Sequence, residues 1–546
     1  VAALTVLAFL PTFTNGWVDF DDTAFILKNA HLSSLSPGNL GWMLSSFYGG
    51  HYHPLTWLSL ALNMIVFGMG PLSFHLTDLA LHVSNAVLFF LIARRLLDGD
   101  NAAAAAAALF FSIHPLRVES VAWAIERRDV LSGLFYLSTI LLHLKAIDDP
   151  GKSWRRFSWL TYAASLLSKG IGITLPLALT LLDLYPLKRR GAWREKIPYW
   201  LMAAGAAGAA FYAEASNGAA LGLGSYPLGQ RIGVAVYGLA FYLRKTILPI
   251  QLLPLYELPQ QFNPLSSPFL LSAAWLLAVV LVLYLMGRRW PTAVTAIAAC
   301  AAFYVITIVP VLGLVRFGPQ LAADRYSYLA CLGWAVLFGA GFKAARSRQA
   351  APVIVSVVLA ACGIMTFLQT SRWHDAVSLW SYALDVDPDI AMGQQHLGYA
   401  LAGQGQYTQA IPHYQKALAL KPDYWLAYDN IGWSWAATGR LDAACAAYRK
   451  ALELKPDYWE AHSNLGLALG RLNRLGEAET QFKEAIKLAP EEPGLHSNLG
   501  LVYFTQGRHE QAAQEFQTAL GLDPSQPQAR MMLQRLAGRT PVRSMR

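Results

Sequence analysis

GQYTQAIPHYQKALALKPDYWLAYDNIGWSWAAT (405–438) runs directly into GRLDAACAAYRKALELKPDYWEAHSNLGLALGRL (439–472), and the two stretches match at a shift of 34 residues. The register continues on both sides. Pro388, Pro422, Pro456, Pro490 and Pro524 share one phase. Gly398, Gly432, Gly466 and Gly500 share a second, and Ala410, Ala444, Ala478 and Ala512 a third. Tyr414, Tyr448, Phe482 and Phe516 form a fourth, and Ala417, Ala451, Ala485 and Ala519 a fifth. Small residues at fixed places allow two helices of a unit to approach closely. The aromatic is expected to fill between units, and the proline opens the next one.

A 34-residue period with this pattern is that of the tetratricopeptide repeat. It assigns residues 371–546 to an α-solenoid with a half unit (Ala376, Trp380, Ala383, Pro388), four complete repeats and a C-terminal helix. Tyr407, Trp425, Asn430, Trp459 and Asn464 are its candidate groove residues, and a core role is equally open to the tryptophans. Asn473 stands where Gly405, Gly439 and Gly507 stand in the other units.

Residues 1–370 have a different character. The whole chain is 55% hydrophobic and only 14% charged, against about 25% charged in soluble domains. The deficit lies in this part, where long apolar runs alternate with short basic loops. The fold class expected is therefore all-α, a polytopic transmembrane domain over 1–370 followed by the solenoid. Spans need about 20 apolar residues. About eleven are expected, near 1–15, 74–97, 101–114, 130–147, 157–169, 171–187, 197–215, 268–287, 292–312, 327–345 and 351–370. The first is short and the chain starts without Met, so a preceding segment is expected.

Arg94-Arg95, Lys152/Arg155/Arg156, Lys188-Arg189-Arg190 with Arg194 and Lys196, Arg288-Arg289, and Lys343/Arg346/Arg348 then share one side, which the positive-inside rule makes cytoplasmic. Loops 16–73, 114–129, 216–267 and 313–326, and the repeats, fall outside. Within the first loop, 53–68 reads as an interfacial helix opened by His53-Pro54. Residues 231–250 read as a surface or re-entrant helix. The net charge of +9 belongs to the cytoplasmic loops, and no nucleic-acid partner is expected. The four cysteines have no metal spacing and read as core residues.

Four external segments carry the charge. VDFDDTAF (18–25) crowds Asp19, Asp21 and Asp22 just after the first apolar run. A carboxylate there can take a proton from a hydroxyl or coordinate a metal, and Asp-Asp-Thr also caps a helix well. HPLRVESVAWAIERRDVL (114–131) holds His114, Arg117, Glu119, Glu126, Arg127, Arg128 and Asp129 between two spans. Charge at that depth is functional or paired. Lys169, in SKGIG (168–172), either holds an anionic headgroup or snorkels. In RFGPQLAADRYSYL (316–329), Asp324 and Arg325 pair or Arg325 meets phosphate, while Tyr326 and Tyr328 stack on a sugar or join the interfacial aromatic belt. No P-loop, dinucleotide fingerprint or Gly-x-Ser-x-Gly elbow occurs, which leaves a lipid-borne donor as the simplest energy source.

The order of these blocks, an early acidic pair, HPLTW, HPLRVESVAWAIERRDVL, SKG, LLDLYPL, ADRYSYL and then the repeats, resembles the transmembrane and tetratricopeptide-repeat-containing proteins and their bacterial relatives. That family is similar to the GT-C glycosyltransferases, which include protein O-mannosyltransferases and the aminoarabinose transferases of lipid A. The resemblance implies an inverting transferase that moves a sugar from a polyprenyl phosphate to a Ser/Thr hydroxyl of an extracytoplasmic protein. Asp21 or Asp22 would be the general base, with Asp21 preferred and Asp22 orienting. Arg127, Arg128, Lys169 and Arg325 would hold the donor phosphate. Other candidates are His53, His114, Arg117, Glu119, Glu126, Asp129, Asp324 and Tyr326. The acceptor polypeptide would lie in the repeat groove, with membrane lipids around the spans. No cofactor is implied beyond the lipid-linked sugar, and a divalent metal is compatible with the acidic pair. The short repeat array looks bacterial, which would place the protein in the inner membrane with an undecaprenyl donor.

Three other classes compete. A non-catalytic membrane scaffold would need one span rather than eleven and no charged external loops. A ligase of the O-antigen type would place its key Arg and His in a long late loop, whereas the loop here is short. A transporter would show repeats among its spans.

Overall fold

The structure, a computed structural model, describes residues 1–189, 191–216, 227–258, 262–314 and 320–537. Arg190, and 315–319 of the late loop, lie outside the described residues. The chain divides into two units, Val1–Ala383 and Leu384–Arg546. Both are helical. The sheet pairing among the described residues is one short antiparallel contact between Tyr256–Glu257 and Gln320–Ala322.

The first unit is a helical bundle. Among the described residues, five of its helices are long and apolar enough to cross a membrane: Pro71–Leu96, Ala124–Asp148, Ser267–Gly287, Pro291–Val311 and Ala350–Arg372. Asp324–Ala330 and Leu332–Ala345, bent by 58°, make a sixth if taken as one span. This is fewer than the eleven expected. The runs at 101–114, 157–169 and 171–187 form helices of 12, 15 and 10 residues, Asn101–Ser112, Trp154–Ser168 and Leu175–Leu184. The run at 1–15 forms Ala2–Ala8 and a 3-10 turn. These pieces are too short to span alone at 1.5 Å per residue.

Local sequence explains several of the shapes. Asp100 caps the 101–112 helix, its carboxylate accepting from the amides of Ala102 and Ala103 at 3.1 Å each. The seven alanines that follow leave a smooth surface. Gly339 presses onto it so closely that a Cβ there would stand 2.5 Å from the Ala103 carbonyl oxygen. The 127–148 and 154–168 helices run antiparallel, joined by Ser132–Ser165 at 3.0 Å and Thr139–Thr161 at 2.8 Å. Pro54–Phe67 forms the expected helix in the first loop, with Pro54 in its first turn.

Two ends of the bundle are chemically distinct. The Pro71–Leu96 and Arg127–Asp148 helices run parallel. Arg127 meets Asp78 at one end and Arg95 meets Asp148, 2.7 Å apart, at the other. Around the second end the basic loops converge: Lys343 on Asp98, Arg346 on Asp100, and Arg189 and Lys196 on Asp183.

In the second unit, paired helices repeat with the expected period, from Ala391–Gly403 and Tyr407–Leu420 to Pro493–Thr505 and His509–Leu522. The phased glycines have a steric cause. A Cβ at Gly398, Gly432, Gly466 or Gly500 would lie 2.7–2.9 Å from Tyr414, Tyr448, Phe482 or Phe516. The aromatic therefore packs against the partner helix of its own unit rather than chiefly between units. Asn473 takes φ 59°, the left-handed conformation its glycine counterparts take at 78–82°. Asn is among the few side chains that adopt it readily.

Candidate active site

Charged residues of the segments 18–25, 114–131, 168–172 and 316–329 meet in the first unit. Glu126, fully buried, is the hub. Arg128 reaches it through Nη2 and through Nε, the latter at 3.0 Å. Lys169 Nζ donates to Glu126 Oε2 at 3.1 Å and to Asp129 Oδ1 at 2.6 Å. Arg325 lies with its Nε 3.3 Å from Glu126 Oε1. Its Nη1 binds Glu119, its Nη2 donates to Gln320 at 3.1 Å, and its backbone amide donates to Glu119 Oε2 at 2.8 Å. Ser120 donates to the remaining oxygen of Asp129 at 3.1 Å. Arg128 of the 114–131 segment and two cations from elsewhere in the chain, Lys169 and Arg325, are thus gathered by three carboxylates of that segment.

The acidic pair divides into two roles. Asp22 is fully buried, and its two oxygens accept from the backbone amides of Val18 and Ile125, each at 3.2 Å. It ties the first loop to the 114–131 segment. Asp21 is half-buried, and its carboxylate accepts no hydrogen bond among the described residues. Burial raises its pKa to about 6, against the pull of Arg128 and Arg325 and with the push of Glu126. Asp21 thus lies within electrostatic reach of Arg128, Arg325 and Glu126 of the hub. The aromatic lining is close by. Phe20 stacks on Trp123 at 5.0 Å, and the Arg325 guanidinium lies over Trp123 at 5.3 Å and Tyr326 at 5.1 Å.

Several candidates take structural places instead. Arg127 is fully buried, with Nε on Asp78 at 2.6 Å and its other nitrogens on the carbonyls of Ser59 at 3.3 Å and Phe74 at 3.1 Å. No part of it faces the hub. The neighbouring charge that captures it, Asp78, was readable as a carboxylate inside an apolar helix. Asp324 and Arg325 do not pair with each other. Asp324 accepts from Tyr256 at 3.1 Å while Arg325 goes to the glutamates. Tyr328 is neither a sugar platform nor a belt residue: it is buried, its hydroxyl 2.8 Å from both His82 and Asn85. Tyr326 is half-buried beside Gln320. Arg117 is buried between Ser327 and the rings of Phe111 and Tyr328. His114 braces the bundle, with Nε2 3.1 Å from the Thr246 carbonyl. His53 is buried, with its ring 4.6 Å from Trp57, and burial pushes its pKa well below the usual range, so it is neutral. Among the described residues no three His, Cys, Asp or Glu side chains form a metal-holding group.

Comparison with known families matches this layout. Residues 53–212 match the dolichyl-phosphate-mannose-protein mannosyltransferase family, and 393–424, 436–473 and 463–527 match tetratricopeptide repeat families. Protein O-mannosyl-transferase Tmtc1 of Drosophila melanogaster is 24% identical over 537 residues, covering 75% of this chain and 60% of that protein. Protein O-mannosyl-transferase TMTC4 of Mus musculus is 25% identical over 492 residues, covering 76% and 65%. The chain is a homologue of the transmembrane and tetratricopeptide-repeat O-mannosyltransferases over most of its length. Protein O-mannosyl-transferase TMTC2 of Mus musculus is 31% identical over a shorter stretch, 34% of this chain and 24% of that protein. The chain thus spans less than two thirds of the length of these relatives. Among solved structures, MamA is 23% identical with a TM-score of 0.26, over 27% of this chain and 81% of its own.

The family match contains Arg128 and Lys169 but stops short of Arg325 and begins after the acidic pair. The apolar helices and this homology make the chain an integral membrane protein.

Proposed function

We propose that the protein is an inverting GT-C glycosyltransferase that moves a sugar from a polyprenyl phosphate to a Ser/Thr hydroxyl of an extracytoplasmic protein. Mannose, the sugar for which the matched family is named, is the first donor to try. The observation that carries the reading is Asp21: a carboxylate with no hydrogen-bond partner among the described residues, its pKa raised by burial to about 6, within electrostatic reach of Arg128 and Arg325. A base poised just below neutral pH suits removal of a hydroxyl proton. The hydroxyl oxygen attacks the anomeric carbon, Asp21 takes its proton, and the bond from that carbon to the phosphate oxygen breaks. The phosphate leaves with the electron pair, where Arg128, Lys169 and Arg325 stabilise the growing charge. Asp22 positions Asp21 through the two backbone bonds. Arg127 has no part in holding phosphate. The repeats recruit the acceptor polypeptide, and in a bacterium the inner membrane would carry the enzyme with its site outside the cytoplasm.

A labelled polyprenyl-phosphate donor series, given to reconstituted wild type, Asp21→Asn and Asp22→Asn, tests this. Transfer by wild type and none by Asp21→Asn is expected. Equal transfer by both variants and wild type would remove the acidic pair from catalysis.

A further inference from the structure

A second feature lies away from the Asp21 cluster. A partly open cavity of about 520 Å³ is enclosed by the later halves of the Pro71–Leu96 and Arg127–Asp148 helices, the Leu175–Leu184 helix, Pro291–Ile308 and Leu332–Ala345. Its size is within the ~300–1,000 Å³ of pockets that hold ligands. The walls are apolar, with Phe89, Leu137, Ala299 and Gly333 representative of four of the helices. Three of these helices belong to candidate membrane spans. From Asp78, at the end of the helix nearer the cluster, to Ile92, in the cavity wall, the helix rises roughly 21 Å at 1.5 Å per residue. The cavity is therefore distinct from the place where donor phosphate would bind.

Its construction is not casual. Tyr185 and Pro186 of LLDLYPL form part of the wall. The preceding Asp183 pins that turn: it is buried, bound by Lys196, 3.1 Å from Arg189 and 3.6 Å from His143. This motif and the basic loop have no part in the transfer chemistry. Left empty, an apolar cavity of this size would forfeit dispersion contacts all along its walls. The filler nearest to hand beside membrane spans is hydrocarbon.

The charged lining residues, Asp98 and Lys343, sit together at the basic end. Lys343 Nζ donates to Asp98 Oδ2 and to the Leu97 carbonyl, both at 2.9 Å, while the Asp98 side chain is 89% exposed. Around them Arg346 pairs with Asp100 at 2.5 Å and Arg95 with Asp148 at 2.7 Å. Each of these cations has a carboxylate beside it. Such a rim complements a headgroup that itself carries both signs better than an anionic one.

We propose that this cavity binds one acyl chain of a zwitterionic phospholipid of the ethanolamine class, with its phosphate on Lys343 and its ammonium on Asp98. The full-length protein is purified in mild detergent, and its retained lipid is read by native mass spectrometry. It is then placed in vesicles of phosphatidylethanolamine and phosphatidylglycerol carrying a photoreactive acyl chain on one lipid at a time. Cross-links from the ethanolamine lipid to peptides containing Leu137, Ala299 or Leu332 are expected. Ala299→Trp, which fills the cavity, should lower retained lipid about tenfold, as ~1.4 kcal/mol of lost affinity does. Asp98→Lys should shift the cross-links towards the glycerol lipid. Because Ala299→Trp is a core change, the wild-type cross-link map and Asp98→Lys decide the matter if that variant misfolds. Cross-links confined to other helices would overturn the proposal. So would a cavity filled in wild type by an anionic or polyprenyl lipid, or retained lipid unaffected by Ala299→Trp in a folded variant.

Discussion

Replacing Asp78 by Asn tests whether Arg127 is a structural cation or a phosphate ligand. Both side chains of the pair are at 0% exposure, with Arg127 Nε 2.6 Å from Asp78 Oδ1. Neutralising one partner leaves the guanidinium buried with two backbone carbonyls and no countercharge. Breaking a buried pair from one side costs about 3–5 kcal/mol. Removing both charges with apolar residues of similar volume is often close to neutral. The expected order of thermal midpoints in detergent is therefore wild type and Asp78→Leu/Arg127→Met close together, with Asp78→Asn far below. Arg128→Met, which leaves one exposed edge of the hub, serves as the control for a cation at the site. If Asp78→Asn keeps the wild-type midpoint and instead raises the donor KM, the structural assignment of Arg127 is wrong. A double variant as unstable as the single one would refute the pairing argument itself.

Transfer should follow the ionisation of Asp21. Its raised pKa of about 6 means the base is protonated, and activity lost, as pH falls through that value; a rate profile between pH 5 and 8 with no inflection attributable to Asp21 would count against it. Asp22→Asn keeps one acceptor oxygen and sets an amide donor against the other backbone N–H, a loss of ~1–3 kcal/mol. Faster hydrogen exchange at Ile125 in that variant would report it. Gly432→Ala places a Cβ 2.7 Å from Tyr448 and should destabilise its repeat by ~1–3 kcal/mol, seen as exchange localised to 425–454 and absent from the first unit. Asn473→Val, forced to φ 59°, should cost ~1–2 kcal/mol, whereas Asn473→Gly should be nearly neutral by the same measurement.

The repeats were legible because their period is set by contacts within 34 residues: the Gly398–Tyr414 type of contact recurs at fixed spacing, and each copy restates the last. The bundle was less so. Hydropathy finds apolar runs, but helix length depends on where a chain breaks, and the breaks at Gly170–Thr174 and Cys331 lie within apolar sequence. Of the site, the loops were readable as places where charge has no business unless it is used or paired. Which of the two applied was not readable, since it depends on partners 49 to 206 residues away, such as Asp78 for Arg127 and Glu119 for Arg325.

On the proposed reading, the same pairing would let a network this saturated still bind a phosphate. Lys169 commits two of its three N–H donors, to Glu126 and Asp129, and Arg128 two of its five, both to Glu126. One ammonium donor and three guanidinium donors remain after the carboxylates are satisfied. An arriving phosphate can use these without breaking the hub, so the cations need not be pulled from their carboxylates at a cost of several kcal/mol each. The carboxylates then act as fixed splints that hold the donors in place before the substrate comes, and the geometry need not reorganise when charge develops on the leaving group. Glu126→Gln separates this from a purely electrostatic reading. If the carboxylates only offset charge, weakening one should strengthen donor binding. If they are splints, kcat should fall while donor affinity changes little.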